Sequence, residues 1–589
     1  MVHFHLLLIF LTILNFCNLL HCFPINDYFT GDDEKEGLPV QRVIHETLYI
    51  TQGTLWTDGN PRENSVLING TYPGPELRFR VGDLALIKVF NHLPNQNTTI
   101  HFHGISQSLL PASDGTPMVS QWPIAPFNFF EYQIHFTKSD VGTTFYHSHV
   151  GAQIMSAHGA FIVTGDEEEL STIPKGTKEK TMLVGDYFYA NDTTIINDVL
   201  LDPFVWPGSA ASISLNGKSW RVAGGCNATI ATRKGLNCDQ SNYKGPEVID
   251  VEYNQPYRLR WIGAQTLMHL AISIFGHSQN IIAADGKHIQ PINTTFIEIM
   301  GGQRYDTILK TKTKEEVKEE QKGGCYPIRF ETRWRTPATN GWAMLRYPNS
   351  TCNVSIDAPF PQNNTATYLP PQQFGWISDQ FHPLKGSKHI APSDKEVSRR
   401  VILQAQQVAI SPGKTPALRW DVNKNAYNES DPRTNDNKVT VQTPYLIQLF
   451  KGEKLMPNYE RGLHPTSSDI QPGFDELSNT YVGKAGEVID VVIINNGSAV
   501  NHVTETHPWH FHGAAHYTVA MGIGEFTEEA FTKAKKQFYP AIARDTTGVW
   551  PGLGASINVP AVLLANNTSG AWSVLRYKVP VDDSASGVW

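Results

Sequence analysis

Three histidine-rich stretches constrain this chain more than any other feature: His101-Phe-His103-Gly104, His147-Ser-His149 and His507-Pro-Trp-His510-Phe-His512-Gly513. On a β-strand, residues i and i+2 point to the same face, roughly 6.5 Å apart along the chain. A His-x-His pair therefore projects two imidazoles side by side, well placed for two neighbouring metal ions, and imidazole suits copper, zinc and iron alike. The first and last stretches lie about 400 residues apart, so they can serve one site only if folding brings distant domains together. Spacing alone does not require this, because His3-Phe-His5 has the same pattern inside an apolar leader. Repetition sets the later pairs apart: there are three of them, two followed by Gly and one preceded by His-Pro-x.

The length of 589 residues accommodates about three or four domains at roughly 100–200 residues each. A hydrophobic fraction of 40% with 18% charged residues is that of a globular chain, and 46 Gly with 37 Pro suit a turn-rich β protein. A net charge of −8 gives no reason to expect nucleic acid or an anionic membrane surface as partner. Leu6 to Leu20 form an apolar run with the length of a signal-peptide core. We therefore expect residues 1–22 to be a signal peptide, cleaved near Cys22–Phe23. No later apolar run reaches the ~18 residues of a membrane span, which predicts a secreted, soluble protein.

Sequons agree with that reading: Asn69-Gly-Thr71, Asn97-Thr-Thr99, Asn227-Ala-Thr229, Asn349-Ser-Thr351 and Asn566-Asn-Thr568. So does cysteine usage. Cys17 and Cys22 fall in the leader, leaving Cys226, Cys238, Cys325 and Cys352, an even set that reads as disulfides with three possible connectivities. Pairing by proximity gives Cys226–Cys238 and Cys325–Cys352.

Short β-type runs broken by turns recur from Val66 to Val163, from Thr181 to Cys352, and again from Arg400, a pattern of sandwiches or barrels. Lys310 to Gly323 is a charged insert, read as an exposed loop or short helix, and Ala358 to Gln373 has linker composition. A faint repeat joins the first and third regions. Arg80-Val-Gly-Asp-Leu-Ala-Leu-Ile-Lys-Val-Phe-Asn91 precedes the first His-x-His pair as Lys484-Ala-Gly-Glu-Val-Ile-Asp-Val-Val-Ile-Ile-Asn495 precedes the last, which argues for duplicated domains.

The histidine stretches, with Ile68-Asn-Gly-Thr-Tyr-Pro-Gly-Pro75, Ser113-Asp-Gly115, Gln121-Trp-Pro-Ile124, Tyr146-His-Ser-His-Val-Gly-Ala-Gln153 and Ala284-Asp-Gly286, resemble the ligand motifs of the multicopper oxidases. That family includes laccases, ascorbate oxidases and ferroxidases, and the resemblance runs from about Val40 to Trp589. It implies an all-β chain of three consecutive cupredoxin-like Greek-key β-sandwich domains, at residues 40–166, 178–356 and 399–589, with a linker at 357–398. It also implies four coppers in an intact enzyme. A type 1 copper takes single electrons from a small-molecule reductant (a phenol, ascorbate or a metal ion), and a trinuclear cluster between domains one and three reduces O2 to water. By motif position, His101 and His510 would hold the type 2 copper, His103, His147, His149 and His512 the type 3 pair, and His507 the type 1 copper. Asp114 stands where the family places a carboxylate near the cluster, as ligand orienter and proton carrier; otherwise it is a turn residue. His92, His158, His502 and His516 are off register and read as structural or surface residues.

Two departures qualify the resemblance. The chain stops at Gly587-Val-Trp589, just before the family's His-Cys-His segment, so the third domain is expected to be incomplete. Fewer than four coppers are then expected, with oxidase turnover lost or impaired. Trp122 occupies a position where many relatives carry a cysteine. The competing readings are a non-catalytic copper-binding cupredoxin-like protein and a zinc or iron enzyme of cupin type.

Overall fold

The computed structural model describes residues 40–107, 110–165, 171–220, 243–335, 338–352, 354, 375–387, 389–411, 416–425, 443–468, 470–500, 505–550 and 571–579. Strands dominate, and they form three successive sandwich units. In the first, the strands Arg62–Ile68, Arg42–Leu55, Asp83–Asn91 and Phe129–His135 make one sheet in that order. Leu77–Arg80, His158–Thr164, Gly142–Ser148 and Ile100–His103 make the other. Arg42–Leu55 pairs parallel to Asp83–Asn91 and antiparallel to Arg62–Ile68, so it joins strands of opposite direction. Between the sheets lie Ile87, Val89, Phe102, Tyr132, Tyr146 and Phe161. Fully burying an aliphatic or Phe side chain of this kind contributes about 1.5–3 kcal/mol.

The second unit packs a six-stranded sheet, Ser212–Leu215, Lys178–Tyr187, Pro256–Gly263, Arg304–Lys310, Gln279–Ala284 and Lys287–Thr294, against a five-stranded one. Its core includes Trp261, Leu259, Ile272 and Phe330. The Cys325–Cys352 disulfide closes it; the other expected pair, Cys226–Cys238, lies outside the described residues. The charged insert forms a short helix, Lys314–Glu319, capped by Thr313 and Glu316 acting reciprocally. Residues 375–387, expected in the linker, pack here too: Phe381 is buried in this core and Trp376 lies against it.

In the third unit the strands run Leu418–Val422, Val397–Ala409, Val488–Asn495, Ala571–Lys578, His516–Ile523 and Ala543–Arg544. Facing them, among the described residues, His507–His510 pairs with Thr546–Val549. The repeat seen in the sequence occupies equivalent places. Val488–Asn495 pairs parallel to Val397–Ala409, as Asp83–Asn91 does to Arg42–Leu55. The Asn that ends each repeat is buried and ties down the approach to the following His-x-His stretch. Asn91 Nδ2 donates to the carbonyls of Gln96 and Ile124, both at 2.8 Å, and Asn495 Nδ2 to those of Glu505 and Trp550, at 2.5 and 2.9 Å. No helix among the described residues is long and apolar enough to cross a membrane.

The units are joined by buried polar contacts. Arg62 of the first pairs with Asp192 at 3.0 Å, and Thr143 donates to Asp306 of the second at 2.6 Å. First and third units meet through backbone bonds from Tyr445 to Met118 and from Leu446 to Val119. These contacts bring residues 101 and 510 to one seam.

Candidate metal centre

Pleat and pairing place the first four imidazoles. Ile100–His103 lies antiparallel to Gly142–Ser148 with His101 directly opposite His147, so His101 and His103 share a face with His147, and His149 follows just past the strand end. Ring centroids are 5.8 Å apart for His101–His103, 5.4 Å for His101–His147 and 5.9 Å for His147–His149. Gln153 secures both stretches, accepting from Ser148 Oγ at 2.7 Å and donating to the carbonyl of Asn97 at 2.8 Å.

Two more imidazoles arrive from the third unit. His510 stacks on His103 with centroids 3.6 Å apart, and His512 lies 4.0 Å from His101 and 5.2 Å from His149. Six of the seven histidines singled out in the sequence thus converge from opposite ends of the chain. Three donor groups within it have their ligand atoms within 4.8 Å of one another: His101, His103 and His147; His101, His510 and His512; and His103, His510 and Asp545.

Backbone carbonyls select the tautomers. A carbonyl oxygen only accepts, so Nδ1 carries the hydrogen in His101 (2.7 Å to Asp114 O), His147 (2.9 Å to Ser148 O) and His510 (2.9 Å to Asp545 O). Their Nε2 lone pairs are left for the centre. His101 Nε2 and His510 Nε2 then face each other as two acceptors 3.4 Å apart, an arrangement that suits a shared cation.

Protonation agrees with this. Burial pushes His103 and His149 down to about 3, with Asp545 opposing it at His103 and His512 adding to it at His149, and holds His147 and His510 well below the usual imidazole range. Neutral imidazoles are what a copper ion requires of its ligands. All-imidazole donors with carboxylates behind them fit copper; among the described residues, Cys325 and Cys352 are disulfide-bonded and offer no thiolate.

Asp114 ends a short turn, Pro111–Asp114. Gly115 follows with φ 85°, and a Cβ there would run into the carbonyl oxygen of Ile100, so only glycine lets the turn close on the His101 strand. Asp114 Oδ2 accepts from Thr116 Oγ1 and, at 3.0 Å, from His512 Nδ1. Its Oδ1, 3.4 Å from His101 Nδ1, has no hydrogen-bond donor. Burial raises the Asp114 carboxyl, but the His101 and His512 imidazoles outweigh it and hold the group well below the usual carboxylate range.

His507 stands apart from the six. Three residues before His510 on one strand, it faces the opposite way and meets Trp420 edge-on at 4.4 Å. Burial pushes it down to about 4, with Arg335 adding to the shift, and its Nε2 is buried without a hydrogen-bond partner. His158 and His516 are structural, as expected: His158 Nδ1 donates to Ile154 O at 2.7 Å, and His516 Nε2 bonds Thr547 Oγ1 at 2.8 Å. His502 lies outside the described residues.

Asp545 and Thr546 went unremarked in the sequence. They sit in Ala541-Ile-Ala-Arg-Asp-Thr-Thr-Gly-Val549, where two adjacent charges interrupt an apolar run, the one local signal of a buried polar role. Thr546 Oγ1 is 2.9 Å from His103 Nε2 and 3.3 Å from His510 Nδ1.

The buried histidines carry a pH consequence for the copper-free protein. His103, His158 and His516 are pushed down by burial to about 3, 4 and 3, whereas unfolded histidine titrates near 6.5. Between those values the unfolded state binds more protons, so stability must fall as pH drops from about 6.5 toward 3–4. Each such group steepens the slope by up to about 1.4 kcal/mol per pH unit. Urea midpoints of chelator-treated protein should show this, and His158→Gln should flatten the slope. A pH-independent midpoint over that window would refute it.

A three-unit, all-β protein of cupredoxin-like architecture, with six imidazoles gathered between its first and last units, defines a copper-protein class. Multicopper oxidase family models match residues 49–168, 178–349 and 439–574. Laccase-like multicopper oxidase 1 of Thermothelomyces thermophilus is 33% identical over 526 residues, covering 82% of this chain and 76% of that protein. An L-ascorbate oxidase of Cucurbita pepo var. melopepo is 28% identical over 526 residues, covering 84% and 85%. In fold, the crystal structure of laccase from Botrytis aclada superposes with a TM-score of 0.63 at 21% identity, covering 92% of this chain and 84% of that one. The chain belongs to the multicopper oxidase family.

Proposed function

We propose that this chain is a secreted copper oxidase that couples one-electron oxidation of a small reductant (a phenol, ascorbate or a metal ion) to reduction of O2 to water. The centre is the six-histidine cluster of His101, His103, His147, His149, His510 and His512. The facing Nε2 atoms of His101 and His510, 3.4 Å apart, carry this reading. Bound copper would supply the one-electron redox steps and the site where O2 is reduced.

The residues account for the rest. Carbonyl-anchored Nδ1–H groups aim Nε2 of His101, His147 and His510 at the centre, and burial keeps the His147 and His510 rings neutral. Reducing O2 to two waters consumes four electrons and four protons. Asp114 stays a carboxylate whose Oδ1, free of hydrogen-bond donors beside His101, can accept a hydrogen bond from a proton-carrying water, while Oδ2 orients His512. His507, with a neutral ring and a free Nε2, would serve a separate electron-entry copper. Secretion is supported by the Leu6–Leu20 apolar run, the sequons and the Cys325–Cys352 disulfide.

A second reading is a copper binder without oxidase activity, which the same neutral, carbonyl-anchored imidazoles would serve equally well. Copper counting with O2 uptake on phenol, ascorbate and Fe(II) separates the two. Oxidase function predicts copper at the histidine cluster and reductant-dependent O2 consumption. Bound copper with no O2 uptake on any of the three selects the binder, and failure to retain copper ends both.

A further inference from the structure

Arg304 belongs to the second unit, which contributes no histidine to the cluster, yet its side chain ends within that seam. It is fully buried, and a buried guanidinium costs several kcal/mol in lost hydration unless it is paired and hydrogen-bonded. Here it is. Nε donates to Thr143 O of the first unit at 3.1 Å, and Nη1 to Gly302 O at 2.6 Å. Both terminal nitrogens grip the Asp545 carboxylate of the third unit, Nη1 to Oδ1 at 2.6 Å and Nη2 to Oδ2. Asp285, from the Ala284-Asp-Gly286 motif, braces the arrangement from behind. Its Oδ1 accepts from the Arg304 backbone N–H at 2.9 Å, and its Oδ2 from Arg544 Nε at 2.7 Å.

From Asp545 the chain of bonds leads to the imidazoles. Thr546 Oγ1 donates to Asp545 Oδ1 at 2.8 Å and so accepts from His103 Nε2–H at 2.9 Å, while the Asp545 carbonyl holds His510 Nδ1–H at 2.9 Å. That polarity puts the hydrogen of His103 on Nε2 and leaves Nδ1 as its ligand atom, the reverse of His101, His147 and His510. Close approach is built in. A Cβ at Gly104 would lie 2.6 Å from Arg304 Nη2, and one at Gly302 2.9 Å from His103 Cε1.

We infer that Arg304 is a positioning residue of the histidine centre: by clamping Asp545, it fixes the tautomer and direction of His103 and the direction of His510. The inference rests on the copper reading above. Groups that orient metal ligands in this way typically change metal affinity about 10–100-fold when lost.

The test measures copper affinity by chelator competition and the copper EPR spectrum on the full chain, in wild type, Arg304→Met, Arg304→Lys and Thr546→Val. Ile272→Ala, in the second unit's core, controls for lost stability. Arg304→Met should weaken copper binding about 10–100-fold and shift the spectrum. Arg304→Lys should recover part of the loss, because it keeps the charge without the two-point grip. Thr546→Val, which cuts the chain beyond Arg304, should weaken binding in the same direction. Wild-type affinity and spectrum in Arg304→Met, or changes no larger than in Ile272→Ala, overturn the inference. Should Arg304→Met fail to fold, Arg304→Lys and Thr546→Val decide, and wild-type behaviour in both overturns it. A wild-type chain that binds no copper removes the copper reading and this inference together, whereas copper-binding variants indistinguishable from wild type remove only the inference.

Discussion

Replacing His101 by alanine is expected to weaken copper binding by at least a factor of about 100. His101 belongs to two of the three donor groups in the cluster, so its loss leaves both short of a ligand. Four-ligand structural zinc sites bind with about 10–16 kcal/mol in total, or roughly 3 kcal/mol per ligand, and every 1.4 kcal/mol is about tenfold in affinity. The ring also accounts for the close contact with His512 and faces His510, so a smaller side chain leaves the seam between the first and third units open. His158→Gln is the control, since that imidazole is buried but bonded to Ile154 O outside the cluster. Chelator competition on the two variants reads the difference directly. Equal affinity in His101→Ala and wild type would show that copper, if bound, is held elsewhere.

The second large effect concerns stability. Arg576 lies on Ala571–Lys578, between Val488–Asn495 and His516–Ile523 in the six-stranded sheet of the third unit. Its guanidinium is buried and makes a two-point pair with Asp490, Nε to Oδ1 at 2.7 Å and Nη2 to Oδ2 at 3.0 Å. Further bonds run to Pro392 O and Asp394. Removing one partner strands a buried charge, which costs about 3–5 kcal/mol. Arg576→Met should therefore lower the apparent urea midpoint of the third unit sharply. Replacing both charges by apolar groups of similar size is often neutral or stabilising, so Arg576→Met/Asp490→Leu should recover much of the loss. A single variant within about 0.5 kcal/mol of wild type, as an ordinary surface change would be, would refute the assignment.

Much of the site was legible because its signals are local. A strand's twofold side-chain period puts His101 and His103 on one face whatever surrounds them, and Gly115 marks a turn that only glycine can close. The Arg80–Asn91 and Lys484–Asn495 repeat pointed to two equivalent strands, and the buried Asn ending each one explains why that residue recurs. Proximity sufficed for the Cys325–Cys352 bridge because 27 residues separate the two and the strand between them returns on its neighbour.

Arg304, Asp545 and Thr546 could not be found in that way. Arg304 and Thr546 open ordinary strands and Asp545 sits at the bend between two of them, and none repeats at a diagnostic spacing. Their meaning arises where three units touch: a guanidinium from the second, a carboxylate and hydroxyl from the third, and His103 from the first, residues 103, 304 and 545 of one chain. The amino-acid sequence by itself determined the pairing of imidazoles on strands, the turn at Asp114 and the β-rich architecture, since these follow from backbone periodicity and local sterics. Only the tertiary structure decided which nitrogen each imidazole offers and which buried charges hold it there, because tautomer and orientation depend on hydrogen bonds between residues hundreds of positions apart.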